Sequence, residues 1–428
     1  MKNIVKIVLI LALGSGLVSC KDRASSEAKT ELSALTEEIH FNSHLYTQSN
    51  EIENAVIHYS RNEDGTLTEV EQVLTKGKGT NGFKATTGEE SAPDPLLSAS
   101  SVILGGDNEM LFVANSGDNS VSVFKVTKNG SLVFMDNAVS GEYSSVNSLS
   151  YNARSGVLYA LHSFGPNHIS MIKVGEDMKL SPMDNRYTIN TQKDKDRIPT
   201  QITMSPDGKF ILVDVLFNAR PVAGESGPIL SPSNATTADG VVVFPIGENG
   251  ALGTAVINDS GTPTPFSMSF LRGSKNVFIN TFAAGNGAGL SRLEDDGTIT
   301  NIITTTVSLE QAPNGPSETC WVSIDPDNKY AYAANFGFGT ISSFEISDDG
   351  LKLKSDKMAK IEGTTGFQAL AGIPTSGPAD NWMSKDGFFY QIYGNAGILV
   401  AFKAKDGGLT EVGRYSIPVN STQGLAGF

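Results

Sequence analysis

The segment RIPTQITMSPDGKFILVDV (residues 197–215) is the clearest single indication of how the chain folds. Its two halves are rich in β-branched and apolar residues, and the turn sequence SPDGK joins them. Runs of this kind form half-buried strands. An Asp-Gly step between two such runs favours a tight hairpin, because glycine accepts the positive φ that the turn requires. The segment therefore predicts two antiparallel strands joined by a short turn.

The same pattern recurs along the chain. An Asp/Asn-Gly turn followed by Leu or Ile ends a β-like run in six places, and a degenerate copy fills the gap between the second and the third. These turns are NEDGTL (62–67), TKNGSL (127–132), GEDMKL (175–180), GENGAL (247–252), EDDGTI (294–299), SDDGL (347–351) and KDGGL (405–409). A strand–turn–strand segment precedes most of them, so each unit holds four strands. Repeats of this length and content predict an all-β fold, a seven-bladed β-propeller of four-stranded antiparallel blades.

The first repeat lacks its first strand. It opens with LYTQSN (45–50), whereas the chain ends with STQGLAGF (421–428), which resembles the first-strand sequence PTQITMSP. We therefore expect the C-terminal strand 421–428 to pair with 44–50, completing the first blade and removing two exposed sheet edges.

The N-terminus has the pattern of a targeting segment. A basic start and a short apolar run are followed by LVSC (17–20), which resembles a bacterial lipobox. The sequence predicts a lipoprotein signal peptide over 1–19, a lipid-modified Cys20 and a flexible tether over 20–43, with the propeller over 44–428. The alternative is a plain secretory signal with a chance cysteine.

The charge and the composition limit the partners. The net charge is −14, so nucleic acid is not expected to bind. Lipid on Cys20 would anchor the chain to the bacterial cell envelope, and the charged pair after it favours the outer membrane and surface display over periplasmic retention. We expect the protein to be a monomer and to bind no cofactor or metal. The second cysteine, Cys320, is expected to be buried and structural.

The SPDGKF turn and the unit FVANSGDNSVSVFKV (112–126) carry a family resemblance. The chain resembles the seven-bladed lactonase family, which includes the propeller-type 6-phosphogluconolactonases and the carboxymuconate lactonizing enzymes. The resemblance covers residues 44–428 and implies hydrolysis of a lactone. It also implies a histidine and a glutamate for proton transfer, at positions that here hold Thr200 and Phe282. Neither replacement is a base near neutral pH, so the family's chemistry is not expected at those two positions.

Strand order predicts which face binds ligands. The short Asp-Gly turns fall on one face and the long connections on the other, and long loops on a rigid scaffold usually carry binding. The insert 219–240 is either a lid over this long-loop face or a surface excursion. Strand ends facing the pore there supply candidate ligand-binding residues, namely Asn115, Arg197, Thr200, Arg220, Thr281 and Asn335.

His162 is the one ionisable ring predicted at this mouth. With Asp214 of the next blade it would form a base and its orienting carboxylate, which is the pair that lactone opening needs. The alternative is that His162 hydrogen-bonds a pore water. His168 is expected to be solvent-exposed, and Trp321 and Trp382 are expected to pack between blades.

Two functions remain open from the sequence. One is a divergent, non-catalytic propeller that binds a small sugar-derived or organic-acid ligand, or a surface protein, at the pore mouth. The other is an active lactone hydrolase of the 6-phosphogluconolactonase type with His162 as base and Asp214 as orienter. The missing histidine and glutamate favour the first function, and the family resemblance favours the second.

Overall fold

The structure is a computed structural model. It describes residues 43–141, 145–191, 196–220, 240–259, 264–306, 317–347, 350–369 and 372–428, leaving aside the side chains of 217–220 and 302. The predicted signal peptide, Cys20 and the tether up to residue 42 lie outside the described residues. Residues 221–239 of the long insert lie outside them too.

Seven separate sheets make up the fold, and each contains four antiparallel strands. The predicted all-β, seven-bladed propeller is therefore confirmed. Among the residues that the structure describes, two short 3-10 helices, Glu248–Gly250 and Gly394–Ala396, interrupt the loops. Within the described residues, no helix has both the length and the apolar character needed to cross a membrane.

The strands are numbered in chain order. The innermost strands are β4 (Val102–Gly105), β8 (Val146–Asn152), β12 (Asp196–Met204), β16 (Pro265–Phe270), β20 (Thr319–Ile324), β24 (Pro378–Met383) and β28 (Gln423–Gly427). The second strands are β1 (Ser43–Gln48), β5 (Met110–Asn115), β9 (Val157–His162), β13 (Phe210–Arg220), β17 (Val277–Phe282), β21 (Tyr330–Asn335) and β25 (Phe388–Tyr393).

The third strands are β2 (Ala55–Arg61), β6 (Ser120–Val126), β10 (Ile169–Val174), β14 (Gly240–Pro245), β18 (Gly287–Leu293), β22 (Thr340–Ser347) and β26 (Ile398–Lys405). The outermost strands are β3 (Leu67–Leu74), β7 (Leu132–Val139), β11 (Leu180–Tyr187), β15 (Val256–Asp259), β19 (Ile299–Thr306), β23 (Gly350–Met358) and β27 (Gly408–Ser416). Third strands are buried except near their ends, and outermost strands are largely exposed, so the core lies between neighbouring blades.

The predicted turn chemistry is present in the backbone. Gly130 in the turn after β6 has φ 79°, a conformation that glycine adopts without strain. In the degenerate repeat the equivalent position is Met178, which adopts φ 62° without being glycine. The degenerate repeat therefore keeps the hairpin conformation although it has no glycine at this position.

The ring closes as the sequence predicted. Strand β28 pairs antiparallel with β1, placing Tyr46 opposite Ala426 and Gln48 opposite Gln423. The ladder extends to the last residue, because the His44 N–H donates to the Phe428 carbonyl oxygen over 3.0 Å and the Phe428 N–H donates back over 3.1 Å. The two ends of the chain therefore complete one blade.

A histidine pair lies beside this seam. His44 Nδ1 is 2.9 Å from His58 Nε2, and His58 Nδ1 is 3.1 Å from Glu71 Oε1. The ring of His44 also lies 5.3 Å from that of Phe428. Burial, then the neighbouring His58 and Arg61, lower the pKa of His44 to about 4. The seam is thus built around imidazoles that stay neutral near pH 7.

The connection between β3 and β4 covers the start of the inner strands. We call its last part, Ala92–Ser101, the cap segment. The carbonyl oxygen of Ser98 accepts hydrogen bonds from Trp321 Nε1 over 2.8 Å and from Gln423 Nε2 over 3.0 Å. The Ser98 hydroxyl donates to the Asn147 carbonyl over 2.6 Å. One serine therefore links the blades that contain β20, β28 and β8.

A buried ion pair holds the same connection in shape. Lys84 Nζ lies 2.7 Å from Asp94 Oδ2, with both side chains almost fully buried. Burial raises the pKa of Asp94 above its usual range, against the opposing effect of the Lys84 ammonium. On the long-loop face the cap segment lies over predicted ligand-binding strand ends, since the Ala99 N–H donates to the Thr200 carbonyl over 3.0 Å.

Exposure along the inner strands is greatest towards the short-turn face, although the last residues Ile324 and Met383 are buried again. In β20 the residues Thr319–Trp321 are buried, whereas Val322 and Ser323 are half-buried. In β24 Pro378–Asp380 are buried, whereas Asn381 and Trp382 are half-buried. The central channel is therefore covered at the long-loop face and accessible from the short-turn face.

Deleting residues 423–428 tests the seam. The deletion removes β28 and exposes the edge of β1, so we expect the free energy of unfolding to fall by at least about 3 kcal/mol, as for loss of a large buried side chain. Urea denaturation measures it. The control is Val419→Ala in the same tail, where the side chain is 49% exposed and a change within about 0.5 kcal/mol is expected. Equal stabilities for the deletion and the control would contradict the role of the seam.

Candidate active site

The predicted ligand-binding residues at the ends of the second strands are buried inside the ring. Asn115 Nδ2 donates to the hydroxyls of Ser120 and Ser122, over 3.1 and 2.8 Å. Asn335 Nδ2 makes the corresponding pair of bonds to Thr340 and Ser342, over 3.1 and 2.8 Å. Each asparagine therefore fastens its own second strand to the third strand.

Thr200 and Thr281 are also fully buried. The Thr200 hydroxyl donates to the Phe266 carbonyl over 2.6 Å, and the Thr200 carbonyl accepts from the Ala99 N–H of the cap segment over 3.0 Å. The Thr281 hydroxyl hydrogen-bonds the Cys320 carbonyl. Ligand binding by the buried strand-end residues stays a prediction, and it would require the cap segment to move.

The two predicted arginines have different surroundings. Arg197 is fully buried, and its guanidinium Nη1 donates to the Ile189 carbonyl over 3.2 Å. Arg220 ends β13, opposite Asp196 in the strand register, and its side chain lies outside the described residues. An anion-binding role for Arg197 would therefore need a rearrangement of its buried surroundings.

Asp214 lies on β13 and is fully buried. Its Oδ1 accepts a 2.9 Å hydrogen bond from Asn280 Nδ2, and its Oδ2 has no hydrogen-bond partner within the part of the chain that the structure describes. Burial raises the pKa of Asp214 to about 8, in spite of the Asn280 bond. The carboxyl is therefore neutral at pH 7. Asp214 therefore makes no hydrogen bond to His162, because its Oδ1 accepts from Asn280 and its Oδ2 has no partner among the described residues.

His162 ends β9 with its side chain only 1% exposed. Its Nε2 lies 3.0 Å from the hydroxyl oxygen of Ser170 on β10. In the antiparallel register Ser170 is opposite Ala160, two residues before His162, so both side chains lie on the same face of the blade. The structure thus pairs His162 with a serine that the sequence reading did not single out.

This pair forms part of the wall of a cavity of about 350 Å³ at the long-loop face. Ser140 and Gly141 line it from the preceding connection, Phe164 from the loop after β9, and Arg186 from β11. A histidine nitrogen at hydrogen-bonding distance from a serine hydroxyl is the arrangement that activates an oxygen nucleophile. The arginine places a positive charge at the rim. The cavity therefore brings together a candidate nucleophile, a candidate base and a positive charge, an arrangement that suits attack on a carbonyl group.

Signals for Ser170 existed in the sequence but were not specific. It lies in the strand ISMIKV (169–174), one of seven similar third strands in which small polar residues are common.

His168 was expected to be exposed, and that expectation is wrong. It is fully buried, with Nε2 2.9 Å from the Arg197 carbonyl oxygen and 3.1 Å from Asp196 Oδ1. The predicted burial of Cys320 is confirmed. Among the described residues, no three His, Cys, Asp or Glu side chains are placed to hold a metal ion.

The geometry defines the chain as a seven-bladed propeller with a serine–histidine pair in a cavity of its long-loop face. The family model of "Lactonase, 7-bladed beta-propeller" matches residues 38–145 and 298–369, which together are less than half of the chain. A curated relative, an uncharacterised protein of Staphylococcus saprophyticus, is 28% identical over 149 residues, 32% of this chain. The match spans 39% of that relative's own length.

Solved structures show the same fold. A candidate 6-phosphogluconolactonase of Bacteroides fragilis superposes with a TM-score of 0.65 at 15% identity, covering 91% of this chain and 98% of that one. The periplasmic gluconolactonase of Pseudomonas aeruginosa superposes with a TM-score of 0.65 at 14% identity, covering 90% of this chain and 98% of that one. At these identities the likeness concerns the fold.

Replacing Asp214 with asparagine tests its protonation state. In wild type, Asp214 loses its proton at about pH 8 when folded and at about pH 3.9 when unfolded. Its contribution to stability is therefore fully present below about pH 4 and declines as the pH rises towards about 8. Asp214→Asn removes this decline, so the variant is expected to be more stable than wild type by at least about 1 kcal/mol at pH 8 and to lose that advantage at pH 5.

Urea denaturation at the two pH values measures the difference. The control is Asp327→Asn, where the side chain is 71% exposed and the pH profile should follow wild type. Parallel profiles for Asp214→Asn and wild type would show that the Asp214 carboxyl is ionised in the folded protein.

Proposed function

We propose that the protein is a lactone hydrolase of the lactonase propeller class, acting on a small sugar-derived or organic-acid lactone in the His162 cavity. The observation that carries the proposal is the 3.0 Å contact between His162 Nε2 and the Ser170 hydroxyl at a cavity of about 350 Å³. The partial family match supports the same class.

The chemistry follows from the orientation of the pair. His162 Nε2 faces Ser170 Oγ, so the oxygen that this base deprotonates is the serine oxygen. Ser170 Oγ attacks the lactone carbonyl, the ring C–O bond breaks, and the imidazolium returns its proton to the departing ring oxygen. A water, deprotonated by the same imidazole, then attacks the acyl–serine ester. The acyl C–Oγ bond breaks, the imidazolium returns its proton to Ser170 Oγ, and the hydroxy acid leaves.

The charged residues that line the cavity limit which substrates it can bind. Arg186 lies at the rim and is exposed, so it can meet a carboxylate or a phosphate on the substrate without a large desolvation cost. Asp184 lines the same cavity and would repel an anion placed close to it. We therefore expect a lactone with its charged group at the Arg186 side of the rim.

A non-catalytic role as a ligand-binding propeller is the second candidate. It is favoured by the two positions where the family resemblance implies a histidine and a glutamate. Thr200 is fully buried there and donates to a backbone carbonyl, and Phe282 is 1% exposed. The two positions at which the resemblance implies proton-transfer residues therefore hold buried packing residues. Any catalysis would have to take place in the His162 cavity instead.

Lactone hydrolysis by single variants of the purified full-length protein separates these functions. With a panel of five- and six-membered aldonolactones and their phosphates, His162→Gln and Ser170→Ala are each expected to lower kcat/KM by at least about 100-fold, because each removes half of the proton-transfer pair. Acid release in a weakly buffered indicator solution measures the rate.

Two controls accompany the assay. Ser140→Ala removes a serine hydroxyl from the same cavity, one that donates to the Asn119 carbonyl, and should keep wild-type activity. Asp214→Asn should keep it too, whereas a loss there would restore Asp214 as the orienting group. Wild-type protein that opens none of the lactones would leave the binding role as the function.

The lipid anchor also belongs to the proposal. A lipid on Cys20 would hold the propeller at the cell envelope, with the outer membrane and surface display as the favoured location and a surface protein or small molecule as the partner. The support is the LVSC sequence after a short apolar run. A periplasmic or surface location suits an extracellular lactone better than an intracellular sugar phosphate.

Cys20→Ser tests the anchor. Because the lipid is expected on that sulfur, the variant should move from the membrane fraction to the soluble fraction of lysed cells, as followed by immunoblot. Cys320→Ser alters the other cysteine of the chain and should stay in the membrane fraction. Membrane association of Cys20→Ser equal to that of wild type would rule out anchoring through Cys20.

A further inference from the structure

The central channel forms a second cavity, separate from the His162 site. Its volume is about 270 Å³, and six of the seven inner strands contribute to its wall. Trp321 and Trp382 both line it, and the chain contains no other tryptophan. The expectation that these rings pack between blades is met, since the Trp321 ring centroid lies 4.6 Å from that of Phe266 on β16, and the Arg61 guanidinium carbon of β2 lies 5.4 Å from the centroid of the Trp382 ring. They also contribute to the wall of a cavity.

The lining of this channel is uncharged. Among the described residues that form it there is no Asp, Glu, Lys, Arg or His, although the whole chain carries 46 acidic and 32 basic residues. Moving an ion into such surroundings without a counter-charge costs several kcal/mol. The channel therefore selects against ions and in favour of neutral molecules.

Amide groups in the wall retain hydrogen-bonding capacity. Gln201 donates one N–H to Ser100 over 3.1 Å and accepts from the Met268 N–H over 2.6 Å, which leaves one donor and one lone pair of the amide. Asn381 Oδ1 accepts from the Ser323 hydroxyl over 2.6 Å, which leaves a lone pair there as well. These groups are fixed by their existing bonds, so they are preorganised for a ligand with hydroxyls.

The shape of the channel limits the ligand. Ala99 and Ser100 of the cap segment form its inner end, and Asn108 and Gly427 lie where the inner strands end at the short-turn face. The cavity is thus blind and opens at one face. Its volume is near the lower end of the range for ligand sites, about 300 to 1,000 Å³, which suits one ring rather than a chain of rings.

We propose that the central channel binds a single neutral sugar ring that enters from the short-turn face. Aromatic walls with a few convergent polar groups are the usual composition of small-molecule sites. The apolar face of a sugar ring would pack on the indole of Trp382, which is half-buried whereas Trp321 is only 2% exposed, and its hydroxyls match the amides of Gln201 and Asn381. The site is independent of the proposed hydrolase cavity, which opens on the other face and carries charged groups.

Intrinsic fluorescence tests the proposal directly, because both fluorescent tryptophans line the site. Purified full-length protein is titrated with neutral methyl hexosides and methyl pentosides and, in parallel, with the corresponding methyl uronosides. At least one neutral glycoside is expected to change the emission saturably and to reduce quenching by acrylamide. Its uronoside is expected to bind at least ten-fold more weakly.

Variants locate the binding. Leu104→Phe enlarges a half-buried side chain in the channel wall and should weaken the neutral glycoside at least ten-fold. Leu74→Phe makes the same change on β3, where the leucine is 54% exposed, and should bind as wild type does. Absence of a saturable change with every neutral glycoside would overturn the proposal, as would equal binding of the uronoside. Unaltered binding by folded Leu104→Phe would also overturn it. If Leu104→Phe does not fold, the wild-type comparison of glycoside with uronoside decides.

Discussion

The pairing of β28 with β1 is the constraint on which the rest of the structure depends. Without β28 the first blade would have only three strands and the inner edge of β1 would be unpaired, so here that blade is assembled from both ends of the chain. The seam is short, but it is reinforced from the side. Tyr46 donates its hydroxyl to the Gly130 carbonyl of the next blade, and the His44 ring lies against Phe428. Closure therefore fixes neighbouring blades as well as the first one.

The cap segment also connects different blades, in this case at the centre of the ring. Inner strands of different blades are held together there by backbone and side-chain groups of one short stretch, with Ser98 at its middle. As a result, the cap segment occupies the mouth at which the family resemblance places its reactive residues. The proposed hydrolase site lies away from that mouth, where His162 of β9 and Ser170 of β10 meet on one face of the same blade.

Much of the fold follows from short-range sequence rules. Asp-Gly turns, alternating strands and the tail that resembles a first strand were sufficient to predict the blade number, the strand order and the seam. These features depend on backbone conformation and on burial, which a local sequence expresses directly. The cap segment is different. Its sequence APDPLLSASS (92–101) has no periodic pattern, and its hydrogen-bond partners lie in distant parts of the chain, so nothing local indicates that it turns inward.

The candidate site was less accessible to sequence reasoning for the same reason. Alignment of the repeats located His162 at a strand end, and that was sufficient to select it as a base. Its partner was predicted in the next blade, at Asp214, from strand order alone. The partner in the structure is Ser170 of the neighbouring strand, because side chains on one face of an antiparallel pair meet before those of different blades do. Asp214 instead lies in a dry environment beside Asn280, where a carboxyl keeps its proton.

The two cavities open on opposite sides of the disc. The cap segment separates them, since it closes the channel on the side where the His162 cavity has its entrance. If both proposed sites bind ligands, two different molecules would occupy the protein at once without competing for space. A flat partner resting on one side would block one entrance and leave the other in contact with solvent.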